Sequence, residues 1–166
     1  PGGIATPFSH TKDGFETQFG TNHLGHFVLV NRIAGLMRNG SRLVNVSSAG
    51  HRFADIDLKD PNFEHTPYDP FIAYGRSKTA NILFAVAFDA RHRARGVRAT
   101  AVHPGGIMTE LPPHMQAGAI QAMVAGINEQ AAAEVTPPSQ FKTIPQGAAT
   151  SVRAGVVAAA DAVGGP

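Results

Sequence analysis

Between Asp13 and Met37 the residues Phe15, Phe19, His26, Val30, Ile33 and Met37 fall on one helical stripe, with Phe27 and Leu29 alongside. Asn39-Gly40 supplies a stop, so the pattern predicts a helix of about 36 Å at ~1.5 Å per residue. Arg42 to Val46 is a short apolar run flanked by turn residues and reads as a buried parallel strand. An irregular connection, 50–67, carries Asp55, Asp57, Asp60, Pro61 and His65. Asp69-Pro70 predicts an N-cap with proline in the first turn of a helix reaching about Arg95, with Gly96 as its stop. The middle of that helix, 82–88, is apolar all round, which requires cover on more than one face. Val97 to Val102 predicts a second strand, 117–134 a weaker helix, and Ile144-Pro145 the start of a helix reaching about Asp161. Strands alternating with long helices make this an α/β chain with a parallel sheet.

Composition narrows the class. The 166 residues suit one domain, and 43% hydrophobic with 16% charged residues suits a globular chain. A net charge of +2 with scattered basic residues gives no footprint for nucleic acid. Arg91, Arg93, Arg95 and Arg98 cluster near a predicted helix end, where they favour its dipole. There is no cysteine, so disulfides, thiolate metal sites and thiol nucleophiles are excluded. No run approaches the ~18 apolar residues of a membrane span, and a reducing cytoplasm is the expected compartment. His23 and His26 stand three apart on a predicted helix with no third ligand at suitable spacing, so no metal site is expected.

The chemistry concentrates between Leu43 and Lys78. A strand ending on Ser47-Ser48 places hydroxyls at the C-terminal edge of a parallel sheet, where ligands of such sheets bind. Alternation along the strand would send Ser47 to the face opposite Ser48. Tyr74 and Lys78, four apart, share a helix face. An adjacent ammonium favours the phenolate, and lowering a phenol from ~10 towards neutrality takes about 3–4 kcal/mol. Ser48 could hold a carbonyl or alcohol oxygen while Tyr74 exchanges its proton. A serine hydrolase using Ser48 fares poorly, because G-x-S-x-G is absent.

The strings Asn45-Val46-Ser47-Ser48-Ala49-Gly50-His51, Tyr74-Gly75-Arg76-Ser77-Lys78-Thr79-Ala80-Asn81 and His103-Pro104-Gly105-Gly106-Ile107-Met108-Thr109 resemble the short-chain dehydrogenase/reductase family. Thr11 to Glu16 and Asn22-His23-Leu24-Gly25-His26-Phe27 resemble its branch of retinol dehydrogenases, WW-domain oxidoreductases and protochlorophyllide reductases. The resemblance implies a Rossmann-type doubly wound sheet and hydride transfer between NAD(P) and a carbonyl or alcohol, with NADP favoured over NAD. It implies Tyr74 as general acid/base, Lys78 lowering its pKa and holding the nicotinamide ribose, and Ser48 orienting the substrate oxygen. Asn22 matches a fourth catalytic residue whose backbone holds a water joining Lys78 to solvent; a buried asparagine bridging two elements is the alternative. Pro104, Gly105, Ile107 and Thr109 match the segment contacting the carboxamide and phosphates, and Val46 and Asn45 would line the same crevice. Gly2 or Gly3 matches a glycine of an Asn-Asn-Ala-Gly motif, with the register open.

A dinucleotide-binding half begins with a strand, a glycine-rich turn and a helix, and no glycine pair of this sequence has that context. The chain is therefore expected to be an internal fragment, a single partial domain over 1–166 with a substrate-lid region at 111–145. Pro112, Pro113, Met115, Ile120 and Met123 suggest an apolar pocket there. The competing expectation is a catalytically incompetent truncated member that acts as a helix-mediated interaction module. A homo-oligomer through the helices at 14–38 and 71–95 is compatible with either.

Overall fold

The computed structural model describes residues 2–107, 125, 126, 128, 129, 141–159 and 162–164. Thr109, most of the helix expected over 117–134 and most of the lid region at 111–145 lie outside the described residues.

Two strands, β1 (Arg42–Val46) and β2 (Arg98–Val102), pair in parallel with Arg42 opposite Arg98 and Val46 opposite Val102. β2 starts one residue later than its apolar pattern suggests. The two faces of β1 meet different elements. Leu43 joins Phe84, Phe88, Val97, Ala99 and Ala34 in the core, and the Asn45 amide donates to the Asn81 carbonyl at 2.9 Å. On the other face Val44 lies against Gly155, while the Arg42 guanidinium donates to Ala154 O. Layers on both sides of a parallel sheet are the Rossmann-type arrangement.

The first helix is shorter and less regular than its periodicity predicts. Glu16, fully buried, caps it by accepting from Gln18 N and Phe19 N, so α1 is Thr17–Phe19. Phe15 precedes the cap and stays 41% exposed rather than joining the buried stripe. A π-helical turn, Gly20–Leu24, then widens the helix before α2 (Gly25–Ile33) and a closing 3-10 turn, Ala34–Leu36. Periodicity cannot register such a turn, because one extra residue per turn rotates the face without changing its composition.

α3 (Pro70–His92) is capped by Asp69, whose carboxylate accepts from Phe71 N and Ile72 N, and it continues through a 3-10 turn to Gly96. Gly96 sits at φ 71°, the left-handed conformation that glycine adopts with least strain. One stripe of α3, including Tyr74, Ser77, Asn81, Phe84 and Phe88, is buried. The π turn and α2 pack against part of that stripe, with the Phe27 and Phe84 ring centres 4.9 Å apart. Leu83 and Val86 remain about half exposed, so the apolar middle of α3 is only partly covered. Near its end the buried Asp89 accepts from Arg98 Nε at 2.9 Å and from Ala99 N at 2.7 Å, clamping α3 to β2.

Thr143 and Gln146 form a reciprocal capping box for α4 (Ile144–Val152), which passes into a π-helical turn, Arg153–Val157. This helix stops before Asp161 because Ala158 is extended and its N–H closes on Arg153 O. Among the described residues no helix is long and apolar enough to cross a membrane.

Candidate active site

β1 ends at Val46, and the next two residues decide what stands at the sheet's edge. The Ser47 amide still donates to Val102 O, but its hydroxyl turns to the Lys78 carbonyl at 2.9 Å. Ser48 caps a 3-10 turn, Ala49–Phe53, by accepting from Gly50 N, and its hydroxyl also stands beside the Tyr74 phenol. Both serines therefore face α3. The alternation expected for Ser47 and Ser48 lapses because the strand does.

The Tyr74 ring is buried against that turn, and Gly50 makes the fit. A Cβ on Gly50 would stand 2.6 Å from the ring. Gly75 performs the same service for α3, since a Cβ there would meet Ala54 N and Gly50 O at 2.9 Å. A Gly75→Ala change gains about 1 kcal/mol of helix propensity, but overpacking against backbone costs about 1–3 kcal/mol. A net loss of about 1 kcal/mol is expected in chemical denaturation, and an unchanged or raised midpoint would contradict this packing.

Lys78 is half-buried, with Nζ 5.5 Å from the Tyr74 ring centre and 3.3 Å from Val46 O, to which it donates. Burial lowers its pKa to about 8. Burial also raises the Tyr74 phenol, with only the Ser48 hydroxyl opposing. This corrects the expectation of a phenol lowered by its ammonium neighbour: Lys78 donates to the Val46 carbonyl, and desolvation of the phenol outweighs the Ser48 hydrogen bond. Tyr74 is thus a proton-bearing phenol at neutral pH.

Asn22 occupies the π turn, fully buried. Its amide accepts from Gly3 N and donates to Gly3 O, both at 2.9 Å, and donates to Ser77 Oγ at 3.1 Å. The side chain thus bridges the chain entry to α3, and Gly3 is the glycine it engages. Its main-chain carbonyl accepts from Asn81 Nδ2 and His26 Nδ1, both at 3.0 Å. His23 gives its own Nδ1 to Asn81 Oδ1. Both imidazoles commit a nitrogen to hydrogen bonds, and no group of three metal-binding side chains occurs among the described residues. Asn45, expected to line the crevice, is buried instead, with its amide directed to Asn81 O.

Beyond β2, Gly105 adopts φ 89°. The 104–107 segment is tied to Lys142, whose Nζ donates to Pro104 O at 3.2 Å and whose N–H donates to Gly106 O at 2.8 Å. Ile107 bridges to Lys142 and packs against Gly147, leaving no room there for a methyl. Pro104, Gly105 and Ile107 thus flank the same sheet edge as Val46, Ser48 and Tyr74. Two residues given no role from sequence tie down its parts: Asn81 bonds Val46 O and Asn22 O, and Lys142 bonds the 104–107 segment. Asn81 carried a legible signal: it is seven beyond Tyr74 and three beyond Lys78, a polar residue entering an apolar stretch.

Comparison with known proteins places this geometry. No family model matches the chain. Human retinol dehydrogenase 14 is 43% identical over 111 residues, which span 66% of this chain and 33% of that protein. A short-chain dehydrogenase/reductase of Penicillium roqueforti is 35% identical over 157 residues, 91% of this chain and 44% of that one. The crystal structure of a short-chain dehydrogenase from Burkholderia cenocepacia J2315 in complex with NADP shares the fold, with a TM-score of 0.59 at 19% identity, covering 93% of this chain and 56% of that chain. The chain spans about half the length, or less, of the curated relatives it matches. With 35% identity across 91% of its residues to that Penicillium roqueforti protein and 43% across 66% to human retinol dehydrogenase 14, the chain belongs to the short-chain dehydrogenase/reductase family.

Proposed function

We propose that this chain carries the proton-handling half of an NAD(P)-dependent oxidoreductase acting on a carbonyl/alcohol pair, with NADP preferred. The observation that carries the reading is the meeting of three groups at the end of β1: the buried Tyr74 phenol, the Ser48 hydroxyl beside it, and the Lys78 ammonium 5.5 Å from the ring. Ser48 orients the substrate oxygen, and Tyr74 donates a proton to that oxygen in reduction. Lys78 has a compact cation and spare N–H groups to offer a ribose hydroxyl.

The residues present fit a nicotinamide cofactor on one side. Gly105 adopts a positive φ with the Lys142 side chain against it, which sets a cation at this edge, and Val46, Pro104 and Ile107 border the crevice, with Thr109 assigned to it by resemblance alone. When bound, the cofactor supplies the hydride. Asn22 acts through its carbonyl and its bridge to Gly3 and Ser77. An apolar alcohol or ketone is the substrate class, supported by the lid residues Pro112, Pro113, Met115, Ile120 and Met123 in the sequence. The test is cofactor-dependent turnover of such a ketone after Tyr74→Phe. Retention of most of the activity would defeat the assignment.

No glycine pair of this sequence has the predicted strand before it and helix after it that a pyrophosphate site uses. The isolated 166 residues are accordingly expected to bind NADP only weakly. Micromolar affinity in calorimetric titration would show that this sheet edge alone suffices.

A second reading, a helix-mediated interaction module, is favoured by one feature. An apolar groove of about 270 Å³ between the first helix and α3 is lined by Phe27, Leu58, Leu83, Phe84 and Ala87 among others, and Leu83 itself is half exposed, as is Val86 on the same helix. Sedimentation separates the two readings, because a strictly monomeric folded chain argues against a role in association through this face.

A further inference from the structure

We propose that Asn81 is a positioning residue for the Lys78 ammonium, held in its working orientation by the His23 imidazole. The inference rests on the reading of Tyr74 and Lys78 as the proton-handling pair and adds a residue to it.

Asn81 is completely buried, and its side chain is used at both ends. Nδ2 donates to Asn22 O at 3.0 Å and to Val46 O at 3.2 Å. Carbonyls only accept, so the NH₂ end must face them and Oδ1 must face His23. His23 Nδ1, 3.0 Å from that oxygen, is then the donor. Burial lowers the His23 pKa against the opposing hydrogen bond to Asn81, so the neutral imidazole with its proton on Nδ1 is the form that fits. The chain of bonds runs from His23 through the Asn81 amide to Val46 O, where Lys78 Nζ also rests at 3.3 Å. One carbonyl thus takes two donors from α3 residues three positions apart.

A purely structural cross-link would need only one of these carbonyls. Serving both fixes the strand-end oxygen on which Lys78 lies, and holds Asn22 O beside it. The titratable groups around this face, among the described residues, are Lys78 and Tyr74 on α3 and His23 and His26 on the facing helix. The Val46 end of β1 contributes a carbonyl.

The test reads Lys78 directly and needs no turnover. In the 166-residue chain carrying ¹³Cε-lysine, the resonance identified through Lys78→Arg should titrate near 8. Asn81→Leu should raise that midpoint by about one pH unit or more towards 10.5, because Val46 O is no longer shared or held and the flexible lysine reaches water. His23→Leu should shift it in the same direction, whereas His23→Asn, which keeps a donor near the Nδ1 position, should leave it in place. If Asn81→Leu does not fold, the two His23 variants decide between the outcomes by themselves. An unmoved Lys78 midpoint in the folded Leu variants, even with a lowered melting temperature, reduces Asn81 to a structural residue and overturns the proposal. Failure of the oxidoreductase reading shows up separately, as activity surviving Tyr74→Phe.

Discussion

Tyr74→Phe, assayed in a protein carrying this chain together with a dinucleotide-binding half, is expected to lower turnover by ~10²–10⁴-fold, the usual range for loss of a general acid. The substitution removes the proton-bearing oxygen and keeps the ring that packs on Gly50. Stability should change little, by about 1 kcal/mol or less, since the phenol's neighbour Ser48 keeps its bond from Gly50 N. Because burial holds the phenol protonated through neutral pH, the reductive direction should show no decline attributable to Tyr74 between pH 6 and 8. Steady-state rates and a thermal melt on the same preparation check both parts. A large fall in melting temperature would assign the lost activity to misfolding instead.

Asp89→Asn is the second change with a large expected effect, and it acts on the fold alone. The carboxylate, 2% exposed, serves Arg98 and Ala99 N together. Breaking a buried pair by neutralising one partner typically costs about 3–5 kcal/mol, a large part of a small domain's stability. Burial raises the Asp89 pKa, but the Arg98 and Ala99 hydrogen bonds and the Arg98 and Arg93 charges outweigh it, so the folded value lies below the usual one. With a depressed folded pKa, the carboxylate's contribution is fully present above the unfolded value near ~3.9 and is lost as pH falls through the folded one. The gap between parent and variant should therefore be constant from pH 5 to 7 and narrow below about pH 4. Denaturation midpoints across that range test it, and a gap independent of pH would assign the loss to packing.

Local signals were enough where local chemistry sets the structure. Asp69-Pro70 caps α3 by side-chain geometry that depends on a few consecutive residues, and Gly96 ends it through its own backbone freedom. Arg42–Val46 was legible as a strand because its short run of branched apolar residues is flanked by turn residues. The candidate site was legible as a set, because Tyr74 and Lys78 share one helix face by their spacing and Ser48 follows a strand end. Their electrostatics were not. A sequence puts an ammonium one turn from a phenol but does not show that the Val46 carbonyl, from a strand more than thirty positions earlier, takes that ammonium. Nor does it show how deeply the phenol is buried, which is the larger influence on its proton.

The sequence by itself determined the elements around the site, the residue types that meet there and the family they belong to, because caps, apolar periods and motif order are properties of neighbours along the chain. Tertiary structure alone decided the π turn at Asn22, the facing of both serines towards α3, and the role of Asn81 as the joint between Asn22, His23 and Val46. Those features depend on contacts between residues far apart in the chain, Ser47 with Lys78 at 31 positions and Asn22 with Asn81 at 59 among them. What a buried amide or hydroxyl does is set by which donors and acceptors the fold brings within ~3 Å, and that distance is fixed only when the layers close.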